Sequence, residues 1–186
     1  MKDKIFIDDY LERYKKSLFQ TDVSETMIAA KTLLLKTQQN GKKVIVVGNG
    51  GSAALASHVS VDLTKQAGIR TVNFNEADLI TCFANDYGYE KWVAKALEFY
   101  GDEGDVVILI SSSGKSQNMI KAAVQAKKMG IHVITLTGFN KKNPLSKYGN
   151  PAFWVASRSY NVIENTHQIW LLMVADMIRG KIEYSA

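Results

Sequence analysis

Two short stretches put hydroxyl groups and glycine where an apolar run stops. In "ILISSSGKSQN" the run ends in Ser111, Ser112, Ser113, Gly114, Lys115 and Ser116. In "VIVVGNGGSAALASH" a valine-rich run ends in Gly48, Asn49, Gly50, Gly51 and Ser52, and a helix-forming sequence follows. Hydroxyls and glycine between a strand and a helix make an anion site. The first N–H groups of a helix lack intrahelical partners, and the helix dipole favours negative charge there. Glycine permits the tight turn and lets main chain approach a ligand closely. A single serine would read as a helix cap. Two such turns read as two sides of one phosphate site: Ser52 opposite Ser111, Ser112, Ser113 and Ser116, with Asn49, Gly50 and Gly51 beside the ligand.

Two nucleotide motifs come close and fail. Gly48 to Ala53 matches the G-x-G-x-x-A form of a dinucleotide fingerprint, with Glu76 as the acidic partner. A dinucleotide site has no use for a serine cluster on another strand. "GKS" at Gly114 to Ser116 resembles the end of a phosphate loop, but the glycine required five residues earlier is Leu109. No nucleotide cofactor is expected.

Proton-transfer groups come in two pairs at helical spacing. His58 and Asp62 stand at i and i+4, and Glu164 and His167 at i and i+3. If their helices meet, they bring carboxylates and imidazoles together. Each pair also has a plainer reading, as a local hydrogen-bonded pair or as a polar strip on a buried helix.

Strand and helix must alternate to position these residues. The first forty residues read as helices. "DVSE" at Asp22 to Glu25 has the form of a capping box, and Asn40-Gly41 a helix stop. Strands are expected at 44–48, 71–74, 106–111, 132–137 and 152–156. Helices are expected at 53–66, 76–83, 89–99, 116–129 and 162–179. Runs such as "VVILIS" are apolar throughout, as in strands covered on both faces. The pattern predicts an α/β fold: a three-layer αβα sandwich on a parallel sheet, with an N-terminal helical extension, residues 1–41, on a core of 42–186 in one domain. Ligands of such sheets lie beyond the C-terminal strand ends, where both serine turns fall.

Composition narrows the classes further. Net charge is +5, with lysines scattered and no dense basic stripe, which suits a small anionic substrate and argues against nucleic acid. The run Ile169 to Val174 is too short to span a bilayer, and no membrane role is expected. The lone cysteine, Cys82, excludes an internal disulfide and suggests a reducing, cytoplasmic setting.

"GNGGSAALASH", "AND" at Ala84 to Asp86, "ISSSGKSQN" and "VITLTG", in this order, resemble the sugar isomerase (SIS) domain family of phosphosugar-binding proteins, nearest its phosphoheptose isomerase branch. The resemblance implies a five-stranded parallel sheet, a homotetramer, and interconversion of sedoheptulose 7-phosphate with an aldoheptose phosphate for bacterial surface carbohydrate such as lipopolysaccharide or capsule. It implies that Ser52, Ser111, Ser113 and Ser116 hold phosphate, and that Asn49 and Asp86 contact sugar hydroxyls. It places a metal-binding histidine at His58, a ligand and base at Asp62, where glutamate is usual, and a ligand at Glu164, where glutamine is usual. Asp62 or Glu164 then serves as base, His167 as proton shuttle, and His58, Asp62 and Glu164 as zinc ligands. The family's further histidine is Leu172 here, and an aspartate before the last helix is Asn161. Some members of the same fold regulate other proteins, including the replication initiator, and Leu172 favours that second reading.

Overall fold

The computed structural model describes residues 1–183. Helices α1 (Lys2–Phe19) and α2 (Ser24–Gln39) precede the sheet. Then come β1 (Val44–Gly48), α3 (Gly51–Lys65), β2 (Thr71–Asn73), α4 (Ala77–Tyr87), α5 (Trp92–Tyr100), β3 (Val106–Ser111), α6 (Gln117–Lys128), β4 (His132–Thr137), β5 (Ala152–Trp154) and α7 (Tyr160–Arg179). The strands pair in parallel in the order β2-β1-β3-β4-β5.

Burial explains the sheet. Every residue of β1 and β3 is buried, because helices cover both faces. On one face Val44, Val46, Ile108 and Ile110 pack with Leu34, Leu63, Trp170 and Val174 of α2, α3 and α7. On the other, Ile45, Val47, Val107 and Leu109 pack with Trp92, Leu97, Met119 and Ala126 of α5 and α6. Alternate side chains of each strand serve opposite cores, as the strand period requires.

The strand order reverses between β1 and β3. From β1 the chain moves outward to β2, then returns to the other side of β1 as β3. A crevice opens at such a switch point, where the loops after adjacent strands diverge. In register, Gly48 stands opposite Ile110, so the two serine turns leave the sheet side by side.

Some boundaries differ from the sequence expectation. Helix α3 begins at Gly51 rather than 53, which puts Ser52 in its first turn. Helix α4 runs on to Tyr87 and carries Asp86 within it. Strand β5 ends at Trp154, not 156. The capping box does not form: Asp22 Oδ1 accepts from the Ser24 backbone N–H at 2.9 Å, a local turn, and Val23 is the cap residue. Only Ser17 of α1 is buried, and Ile5, Phe6 and Leu11 are exposed. Among the described residues no helix is long and apolar enough to cross a membrane.

Candidate functional site

The turn after β1 is built by backbone needs. Gly50 has φ +56°, in the left-handed region that glycine adopts freely. Gly51 answers a different need: a Cβ there would lie 2.2 Å from the Glu164 carboxylate. A bare backbone at this position lets Glu164, reaching over from α7, lie against the start of α3. A carboxylate is stabilised at a helix N-terminus by the dipole and the unpartnered N–H groups. Asn75 braces the same turn, its side-chain amide donating to the Gly48 carbonyl at 2.9 Å.

The turn after β3 carries the serines. Ser111 donates to Ser116 through their hydroxyls at 3.0 Å, and Ser113 Oγ accepts from the Lys115 N–H at 3.2 Å. Ser116 is the cap residue of α6, yet its hydroxyl makes no capping bond. The simple capping role of the Ser116 hydroxyl therefore fails. Gly114, at φ +65°, sits against the buried Asn143, which donates to Thr137 Oγ1 at 3.0 Å and anchors the following loop.

Both turns open on one cavity of about 110 Å³, lined by Asn49, Ser52, Ser111, Ser112, Ser113, Ser116, Tyr160 and Glu164, among others. Glu164 accepts from Ser52 Oγ at 3.2 Å and from Ser112 Oγ at 3.4 Å, bridging the two turns. Glu164 also lines a second cleft of about 400 Å³, with Gly51, His58, Asn165 and Gln168. The carboxylate thus stands between a small hydroxyl-lined cavity and a larger cleft bearing an imidazole.

Of the first pair His58 lines the cleft and Asp62 stands beside it, and the second pair divides. His58 Nε2 lies 3.6 Å from Asp62 Oδ2, and His58 Nδ1 lies 2.9 Å from the Gln168 side-chain nitrogen. His167 does not join Glu164. Its side chain is buried in the core, with Nε2 3.1 Å from the Thr137 carbonyl oxygen and Nδ1 without a partner. Burial pushes its pKa down to about 4, against the opposing bond to Thr137, so it stays neutral at ordinary pH. The expected proton shuttle at His167 is therefore corrected: three residues along a helix is a turn of about 300°, and here that is enough to pass from cleft to core.

Asp86 stands apart as well. It is exposed on α4, within reach of Cys82 and Asn85, and lines neither cavity of this chain. Asn49 is held in a reciprocal pair with the buried Asn118, at 3.1 and 2.9 Å, and accepts from Tyr89 at 3.1 Å. Leu172 packs on the first core and lines a separate apolar groove with Ile169, Met173 and Met177.

Among the described residues no three His, Cys, Asp or Glu side chains gather closely enough to hold a metal ion. His58 Nδ1 lies 2.9 Å from the Gln168 side-chain nitrogen and Nε2 3.6 Å from Asp62 Oδ2, while Glu164 Oε1 accepts from the Ser52 and Ser112 hydroxyls.

Sequence reasoning missed four residues here: Gln168, Asn118, Asn143 and Tyr160. Gln168 had a signal, since it lies one turn beyond Glu164 on the same helix face. The other three depend on segments distant in sequence meeting in space.

A family model described as SIS domain matches residues 9–138. A phosphoheptose isomerase of Helicobacter pylori strain P12 is 34% identical over 175 residues, covering 90% of this chain and 88% of that protein. The structure of phosphoheptose isomerase GmhA from Neisseria gonorrhoeae superposes with a TM-score of 0.86 at 26% identity, covering 97% of this chain and 100% of that one. A phosphoheptose isomerase structure from Francisella tularensis gives a TM-score of 0.87 at 25% identity, with coverage of 97% and 100%.

Proposed function

The chain belongs to the SIS domain family, and on that premise we propose that it interconverts the keto and aldo forms of a phosphorylated sugar, sedoheptulose 7-phosphate or a related ketose phosphate. The observation that carries this reading is the single small cavity lined by Ser52, Ser111, Ser113 and Ser116, joined through Glu164 to the His58 cleft. The phosphate is held at the serines, and the reacting carbons lie in the cleft.

The reaction moves a proton between adjacent carbons. A base takes a proton from C1, the C–H electron pair forms the C1=C2 bond, and the C2 oxygen gains a proton to give an enediol. The O1 proton then leaves as the C1 carbonyl forms, and the base returns its proton to C2. Atoms and charge balance without an outside reagent. Glu164 is the base, because among the described residues it alone borders both the phosphate cavity and the cleft. A positioned base of this kind contributes about 10²–10⁴-fold. Asp62 lies one turn further along α3 beside His58 and orients it.

Incubation with sedoheptulose 7-phosphate, followed by NMR, is expected to show the aldose phosphate appearing. No turnover of this or related ketose phosphates would overturn the assignment. Ser113→Ala is expected to raise KM by about ten- to 150-fold with little change in kcat, since a hydrogen bond to a charged group is worth about 1.5–3 kcal/mol. Unchanged KM would remove Ser113 from the phosphate site.

The setting we propose is cytoplasmic, in bacterial surface-carbohydrate synthesis, and the assembly a homotetramer. The exposed Ile5, Phe6 and Leu11 of α1, and the apolar groove of Ile169, Leu172, Met173 and Met177, support burial between copies. Leu172 also favours a second reading, a phosphosugar-binding regulator without turnover. Binding of the sugar phosphate without interconversion would select it.

A further inference from the structure

We infer that Gln168 locks His58 as the tautomer with its proton on Nε2, so that the imidazole serves the sugar as a hydrogen-bond donor and offers no free lone pair to a metal. The inference rests on the isomerase reading for its chemistry, but not for its geometry.

The Gln168 side-chain nitrogen stands 2.9 Å from His58 Nδ1. An amide nitrogen only donates, so Nδ1 must accept. A neutral imidazole has one N–H, which then belongs to Nε2. That nitrogen is 3.6 Å from Asp62 Oδ2, too long for a hydrogen bond. The carboxylate orients the ring by its charge and leaves the N–H free. The His58 side chain is half exposed and lines the same cleft as Glu164. Its Nε2–H is available to an oxygen of a sugar in that cleft.

This supplies the group that His167 cannot. As Glu164 removes the C1 proton, negative charge builds on the C2 oxygen. A pre-aimed N–H donor at that oxygen acts mainly in the transition state. His58 passes the Nε2 proton to the C2 oxygen and takes the O1 proton back on the same nitrogen, so the ring ends unchanged. A metal would need a ring lone pair, and the only one present is held by Gln168. A ligand histidine is commonly oriented through its second nitrogen. Here the orienting bond leaves a proton, not a lone pair, on Nε2.

Two measurements on the substrate-free chain test this. Long-range ¹H–¹⁵N spectra of the histidine-labelled protein, with His58 assigned by the His58→Asn variant, are expected to show Nδ1 unprotonated and Nε2 protonated. Gln168→Leu, checked for fold by circular dichroism, is expected to give a mixture of tautomers. Calorimetric titration with zinc sulfate is expected to show weak binding to the natural chain and binding at least about tenfold tighter to Gln168→Leu. With sugar phosphate, Gln168→Leu is expected to lose about ten to a hundredfold in kcat with KM retained. A proton on Nδ1, or one tight zinc per natural chain with affinity unchanged in Gln168→Leu, would overturn the inference whether or not the sugar turns over. The stated spectra and zinc affinities without turnover would uphold the His58 geometry and remove the isomerase reading alone.

Discussion

Glu164→Gln is expected to lower kcat by about 10²–10⁴-fold while KM stays level or falls. The amide keeps the shape, and its oxygen still accepts from Ser52 and Ser112, which now hold Glu164 at 3.2 and 3.4 Å. The serine turns and the start of α3 should therefore keep their positions. What the substitution removes is the ability to take a proton from carbon, together with a negative charge beside the phosphate cavity. Loss of the charge favours binding of a dianion, so KM should not rise. This split separates a base from a binder: a residue that only positioned substrate would raise KM. Steady-state kinetics with the sugar phosphate, read beside the thermal midpoint of the variant, measure it. Activity within a few-fold of the natural chain would move the base to Asp62, the other carboxylate near His58.

The second large effect lies in the core. The neutral His167 loses about 3 kcal/mol of folding stability on acidification, because burial holds its folded pKa near 4 against an ordinary value of 6.5. The unfolded chain binds the proton first, so between those values it carries more protons than the folded chain. Stability then rises with pH through this window. The contribution is complete above pH 6.5 and is lost as pH falls toward 4. His167→Leu removes the titration and the unpartnered Nδ1 together. The Thr137 carbonyl keeps a donor in the Val155 N–H at 2.9 Å, so the variant leaves no bare acceptor. Urea unfolding from pH 7 down to 4.5 should show the natural chain losing stability relative to the variant. Parallel profiles would mean that the imidazole is not held neutral.

Much of the site was legible because it is local. Strand, glycine turn, serine and helix follow one another within about a dozen residues in each half, and short-range sterics and unpartnered helix N–H groups give those residues one purpose. The wholly apolar strands announced a covered parallel sheet, and the core is built from them. Gly51 shows the limit. It was read as room for a ligand, and in the fold it makes room for Glu164, a residue more than a hundred positions away.

The proton-transfer groups were less legible because helical spacing states which residues share a side, not which side faces the cleft. Glu164 and Gln168, four apart, both reach the His58 cleft, while His167 turns into the core beside Thr137. Pairing by residue type chose the histidine, and packing chose the glutamine. The sequence alone determined the sheet, the two serine-bearing turns and their placement at strand ends, since these follow from local pattern and burial. Only the tertiary structure decided that β1 and β3 are neighbours, that their turns share one cavity, and that Glu164 and Gln168 are the residues of α7 presented to it. Those outcomes depend on strand order and on the rotation of one helix about its axis, quantities set by long-range packing of both cores and not by any segment by itself.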